Sequence, residues 1–91
     1  SPWIIKQLEF FSVACEKGSL SQAATCLYTS QPHISKTIRT LENELGTTAV
    51  ISKGKGVRPT VYGEMVLEYA NLILRLQQRS QPSLFLIRIT A

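Results

Sequence analysis

Two glycines and two serines cut the first half of this chain into three short helices, and that punctuation limits the available folds more than any other feature. From Trp3 to Lys17 the apolar residues Ile4, Leu8, Phe11 and Cys15 recur at helical spacing, and Gly18 supplies the stop. A second stripe, Trp3, Phe10 and Ala14, makes the apolar face wider than one helix of a small domain normally buries. Ser19 reads as the N-cap of a short helix over 20–27, with Gln22 completing a capping box. This helix turns Leu20, Ala23, Ala24 and Leu27 inward, and the two alanines let a neighbouring helix approach closely. Tyr28, Thr29 and Ser30 form a tight connection, in which Tyr28 is expected to pack rather than to make contacts outward.

The third helix starts near Ser30, tolerates Pro32 in its first turn and stops at Gly46. Ile34, Ile38, Leu41 and Leu45 form its core face, while Pro32, Ser35, Lys36, Arg39 and Asn43 give the opposite face a polar, basic character. Two β-prone runs, 48–51 and 57–59, flank Lys53-Gly54-Lys55-Gly56 and predict a hairpin with a cationic tip. Standing alone, the same segment would read equally well as a solvated turn. Thr60 caps a last helix running to about Gln78. Met65, Tyr69, Leu72 and Leu76 lie on one line of it, with Val66, Ala70 and Ile73 beside them and Leu67 and Leu74 further round. A helix so widely apolar must be covered by something besides its own domain, and a second subunit is the available answer. Beyond a break at 80–83, the run 84–89 reads as a strand without a partner.

Ninety-one residues provide one core, divided by these signals into a head (1–59), a dimerising helix (60–79) and a tail (80–91). The net charge of +4 arises from ten Lys and Arg against six Glu, with no Asp. The useful fact is where the cations lie: Lys36, Arg39, Lys53, Lys55 and Arg58 cluster between Ser30 and Tyr62, facing only Glu42 and Glu44. Glu42 and Glu44 read as a helix-side ion-pair partner and a solvated charge. Cys15 and Cys26 belong to no ligand cluster and read as reduced thiols in small core spaces, so neither metal nor cofactor is implied. One histidine and no paired carboxylates leave no catalytic constellation, which argues against an enzyme. Neither a signal peptide nor a bilayer-spanning run is visible, so the expected location is the cytoplasm, away from membranes.

Helix, short helix, tight turn, helix and basic hairpin is the element order of a mostly α, winged helix-turn-helix fold with a two-stranded β wing and a long C-terminal helix. In that arrangement the third helix enters the major groove of double-stranded DNA. Gln31 near its start suits an adenine edge, and the hairpin lysines would sit over the flanking backbone. His33 reads either as a base contact or as an exposed turn residue.

The residues carry a more specific likeness. Leu8-x-x-Phe11, Gly18-Ser19-Leu20-Ser21-Gln22-Ala23-Ala24-x-x-Leu27 and Ser30-Gln31-Pro32-x-Ile34-Ser35-Lys36-x-Ile38-Arg39-x-Leu41-Glu42-x-x-Leu45-Gly46 resemble the LysR-type transcriptional regulators. Gly56-Val57-Arg58-Pro59-Thr60-x-x-Gly63 is similar to that family's wing strand and linker-helix start. The resemblance implies a DNA-reading head joined to a linker helix that pairs two copies, with a higher oligomer open to a longer parent. It implies base contacts from Gln31, Pro32 and Ser35, and phosphate contacts from Ser30, Lys36 and Arg39. Secondary backbone contacts fall to Lys53, Lys55 and Arg58. Trp3, Phe10, Met65, Tyr69, Leu72, Ile73 and Leu76 are the expected dimer interface.

Two departures qualify the likeness. The family's Leu-Phe-x-Arg pattern is here Ala49-Val50-Ile51-Ser52, so a serine stands where a wing arginine would meet DNA. After the linker, the family's effector-binding domain is represented only by the run 84–89, which resembles its first strand. The chain, which opens on Ser1, thus reads as a fragment or truncated relative without a small-molecule effector site, its tail the stub of that domain. The alternative to an operator-binding dimer is an interaction module that pairs with full-length relatives and binds DNA weakly or not at all.

Overall fold

Several helix boundaries of the head are made by local hydrogen bonds that the sequence announces. The structure, a computed structural model, describes residues 2–53 and 56–79. It consists of α1 (Pro2–Lys17), α2 (Leu20–Cys26), α3 (Gln31–Leu45), β1 (Val50–Lys53), β2 (Gly56–Pro59) and α4 (Val61–Arg79). The Ser19 hydroxyl accepts from the Gln22 amide (3.2 Å) and the Ser30 hydroxyl from the His33 amide (3.2 Å), satisfying N–H groups that would otherwise be orphaned at the starts of α2 and α3. Gly46 ends α3 at φ +74°, a left-handed conformation open to glycine at no steric cost, and its N–H returns to the Glu42 carbonyl. Thr60 does the same service for α4, its hydroxyl accepting from the Gly63 amide (3.0 Å).

The core lies where α1 meets the other helices. Leu8, Phe11 and Ala14 of α1 close on Ala23 and Ala24 of α2 and on Ile34, Ile38 and Leu41 of α3. Ala49 and Ala70 complete it from the β1 lead-in and from α4. Strands β1 and β2 pair antiparallel in the register Val50↔Pro59, Ile51↔Arg58, Ser52↔Val57 and Lys53↔Gly56. The hairpin is fastened to the helices by the Val57 N–H, which donates to the Gly18 carbonyl (3.0 Å). This is a winged helix-turn-helix with a two-stranded wing and a long final helix. The first strand begins two residues later than its β-prone run suggests; the Ala49 amide just before it is taken by the Glu42 carboxylate, and the Thr48 carbonyl by the Thr60 hydroxyl. The tail strand expected over 84–89 lies outside the described residues.

Several side chains sit elsewhere than their periodicity predicts. Phe10, expected in the dimer interface, is only 4% exposed; it is a core residue whose ring meets His33 edge-on, centroids 5.5 Å apart. Burial within its own head removes it from any surface a partner can reach. Leu45, on the same line as Leu41, is 42% exposed because it is the last residue of α3. Cys26 is exposed instead of filling core space, and Cys15 is half-buried; both are free thiols.

Partial burial pushes the Cys15 thiol up from 9.0 to about 11, because an apolar surround disfavours the thiolate. Alkylation with iodoacetamide at pH 8 should therefore label Cys26 readily and Cys15 slowly until the chain unfolds, as read by mass spectrometry; equal rates would contradict the burial. The same shift favours the folded state fully below pH 9 and loses that contribution as pH rises toward 11, since the unfolded chain ionises first.

Candidate nucleic-acid interface

The outward face of α3 is a continuous polar and basic surface. Gln31, Pro32, His33, Lys36 and Arg39 are exposed on it, and Ser30 is exposed at its start. Ser35 is half-buried, lining a cleft of about 160 Å³ with Leu20, Ile38, Arg39, Glu42 and Val50. The inner face of the same helix is sealed by Ile34, Thr37, Ile38 and Leu41. Thr37 satisfies its buried hydroxyl by donating to the His33 carbonyl (2.8 Å). The helix is thus fixed in orientation from behind and left open in front, as a reading helix must be.

Glu42 fixes the wing relative to that helix. Its Oε2 accepts from the Ala49 amide (2.7 Å) and the Val50 amide (3.1 Å), so one carboxylate on α3 gathers the two N–H groups that lead into β1. The ion-pair role expected of Glu42 is replaced by this backbone clasp. The residues concerned lie seven and eight positions downstream, beyond the reach of any helical pattern. Arg58 is exposed on β2; Lys53 ends β1, and Lys55 lies outside the described residues.

A second surface runs along α4. Ala70 is fully buried and Val66 and Leu67 are half-buried against the head, with the Ser12 hydroxyl donating to Asn71 Oδ1 (3.0 Å) across the α1–α4 contact. Met65, Tyr69, Leu72, Ile73 and Leu76 remain exposed, Tyr69 by 64%, and Trp3 of α1 is exposed as well. Gln7 was not visible as special in the sequence. Its side chain is wholly buried and, in the amide orientation that satisfies both neighbours, accepts from Trp3 Nε1 and donates to Glu44 Oε2 (3.3 Å). A glutamine between two apolar stripes is the one trace it leaves in the sequence. The described residues contain no group of three or more His, Cys, Asp or Glu able to hold a metal ion, and none of their helices is long and apolar enough to cross a membrane.

Residues 5–64 match the family model described as bacterial regulatory helix-turn-helix protein, lysR family. The chain belongs to the LysR family. Among its relatives, the probable RuBisCO transcriptional regulator of Thalassiosira pseudonana is 38% identical over 79 residues, covering 87% of this chain and 26% of that protein. The nitrogen assimilation regulatory protein nac of Escherichia coli K12 is 37% identical over 76 residues, covering 84% of this chain and 25% of that protein. The chain therefore spans about a quarter of the length of these curated relatives. The crystal structure of the CbnR DNA-binding domain in complex with DNA superposes with a TM-score of 0.81 at 34% identity, covering 87% of this chain and 91% of that one. The BenM DNA-binding domain bound to its catB site 1 DNA gives 0.75 at 30% identity, covering 96% and 94%. What this LysR-family chain shares with these relatives is the winged helix-turn-helix head.

Proposed function

We propose that two copies of this chain, paired along α4, read an inverted repeat in double-stranded DNA with one α3 in each of two major grooves. The observation that carries the reading is the open face of α3, whose exposed Gln31, Pro32, His33, Lys36 and Arg39 stand on a helix packed firmly from behind. Gln31, Pro32, His33 and Ser35 meet base edges, where a glutamine amide matches adenine in a bidentate way. Ser30, Lys36 and Arg39 hold phosphates on either side, and Lys53, Lys55 and Arg58 reach the flanking backbone from the wing. Exposed Met65, Tyr69, Leu72, Ile73 and Leu76, with Trp3, form the surface between the copies. The work is regulation of transcription in the bacterial cytoplasm, by binding and not by catalysis.

The test is selection of bound duplexes from a random pool, followed by sequencing and an anisotropy titration on the winner. An inverted repeat should emerge, and its affinity should fall steeply with salt because each phosphate contact releases counterions. Arg39→Ala should weaken binding on every duplex by roughly tenfold and lower the salt slope by about 1. A chain that dimerises yet yields no selected sequence would instead be an interaction module.

A further inference from the structure

Tyr28 occupies a position for which packing offers no explanation. It sits in the turn between α2 and α3, and its ring, expected to pack, is 97% exposed. Its φ of +54° places it in the left-handed region, where among the described residues it is the one non-glycine. That region is sterically poor for a residue with a large side chain, and Gly or Asn would fill the turn with less strain. The conformation is imposed by the turn's backbone: Leu27 N–H donates to the Ala23 carbonyl (2.9 Å), Tyr28 N–H to Thr25 (3.3 Å) and Thr29 N–H to Ala24 (3.0 Å). Two residues later Ser30 caps α3, so the direction in which Tyr28 projects is set by the same turn that aims the reading helix. An exposed aromatic on a strained backbone persists where something outside the fold uses it.

We infer that Tyr28 is a further DNA-contact residue, its phenol O–H donating to a backbone phosphate beside the groove that α3 enters. The inference rests on the DNA-reading role proposed above. The chemistry fits: tyrosine is a regular donor to phosphate oxygens, and a side chain 97% exposed leaves its hydroxyl open to one. A phosphate contact carries no sequence information, so Tyr28 adds affinity and fixes how deep α3 sits without changing which bases are read. Being neutral, it displaces no counterion, and this separates it from Lys36 and Arg39.

The test is a titration of the wild-type chain, Tyr28→Phe, Tyr28→Gly and Arg39→Ala against the selected operator and a scrambled duplex, at several salt concentrations, beside thermal melts. Tyr28→Phe should melt with the wild type and bind both duplexes more weakly, by roughly fivefold to tenfold, with the salt slope unchanged. Tyr28→Gly should melt no lower than the wild type and bind at least as weakly as Tyr28→Phe. Wild-type affinity in Tyr28→Phe overturns the assignment while the reading role of α3 stands. Weakening confined to Tyr28→Gly, or to the operator alone, also overturns it, since the hydroxyl would then not be the contact or the contact would not be a phosphate. Failure of the wild type to bind either duplex removes the DNA-reading role, and the Tyr28 contact with it.

Discussion

Replacing Gly63 by alanine should unfold the head or lower its melting temperature by more than roughly 10 °C, an effect opposite in sign to what helix propensity predicts. Gly63 lies in the first turn of α4, where alanine would ordinarily stabilise a helix by about 1 kcal/mol. Here the added Cβ would land on the Ala49 carbonyl oxygen, with the Ala49 carbonyl carbon and Pro59 Cβ each 3.1 Å away. None of these can give way cheaply. The Ala49 oxygen already accepts from the Thr60 amide (3.0 Å), the Ala49 amide is held by Glu42, and the Thr60 hydroxyl donates to the Thr48 carbonyl (2.7 Å). Backbone meets backbone, so relief requires α4 to lift from the hairpin, at a cost on the order of 3 kcal/mol or more. In a domain of this size that corresponds to a shift of roughly 12 °C or more in a thermal melt followed by circular dichroism. A melting temperature equal to or above that of the wild type would mean the close approach is absent.

Leu72→Glu should leave the head folded and abolish its self-association. Met65, Tyr69, Leu72 and Leu76 follow one another at alternating steps of four and three, the spacing of a helical seam, and all four are exposed in the single chain. In a two-fold pair each copy brings residue 72 to the same interface, so the substitution places two carboxylates there together. An uncompensated buried charge costs about 3–5 kcal/mol, which weakens the dimer by roughly a thousandfold. Sedimentation at micromolar concentration should then show a monomer with the far-ultraviolet spectrum of the wild type. The operator affinity should fall with it, because each head alone reads only half the repeat. An unchanged association constant would place the interface away from this seam.

Signals that act over one helical turn were legible in the sequence. Ser19, Ser30 and Thr60 each accept the amide three residues on, and Gly46 ends α3 in the left-handed conformation its position implies. Caps depend on neighbours in the chain, and those are written side by side. The basic outer face of α3 was legible for a related reason: one helix's periodicity decides which residues share a side. Periodicity says nothing of which neighbour covers a face. Trp3 and Phe10 lie on one stripe of α1, yet the first is exposed and the second closes against His33. Glu42 has the composition of a surface charge and becomes a clasp only when the chain folds back to bring two amides to it. Tyr28 is invisible for a different reason, since a left-handed φ in a turn leaves no compositional mark when the residue is not glycine.

The clasp and the Thr60 junction have a mechanical meaning. The Glu42 carboxylate ties α3 to the root of the wing, and Thr60 ties that same root to the start of α4 through two hydrogen bonds. These hydrogen bonds tie α3, the root of the wing and the start of α4 to one another at a single junction. In two chains joined along α4, the distance and twist between the reading helices can change only as the two α4 helices slide, bend or rotate against each other. On the pairing proposed above, the crossing of those helices would be the protractor for the half-site spacing, and a residue at their seam far from any base would retune which operators are spanned.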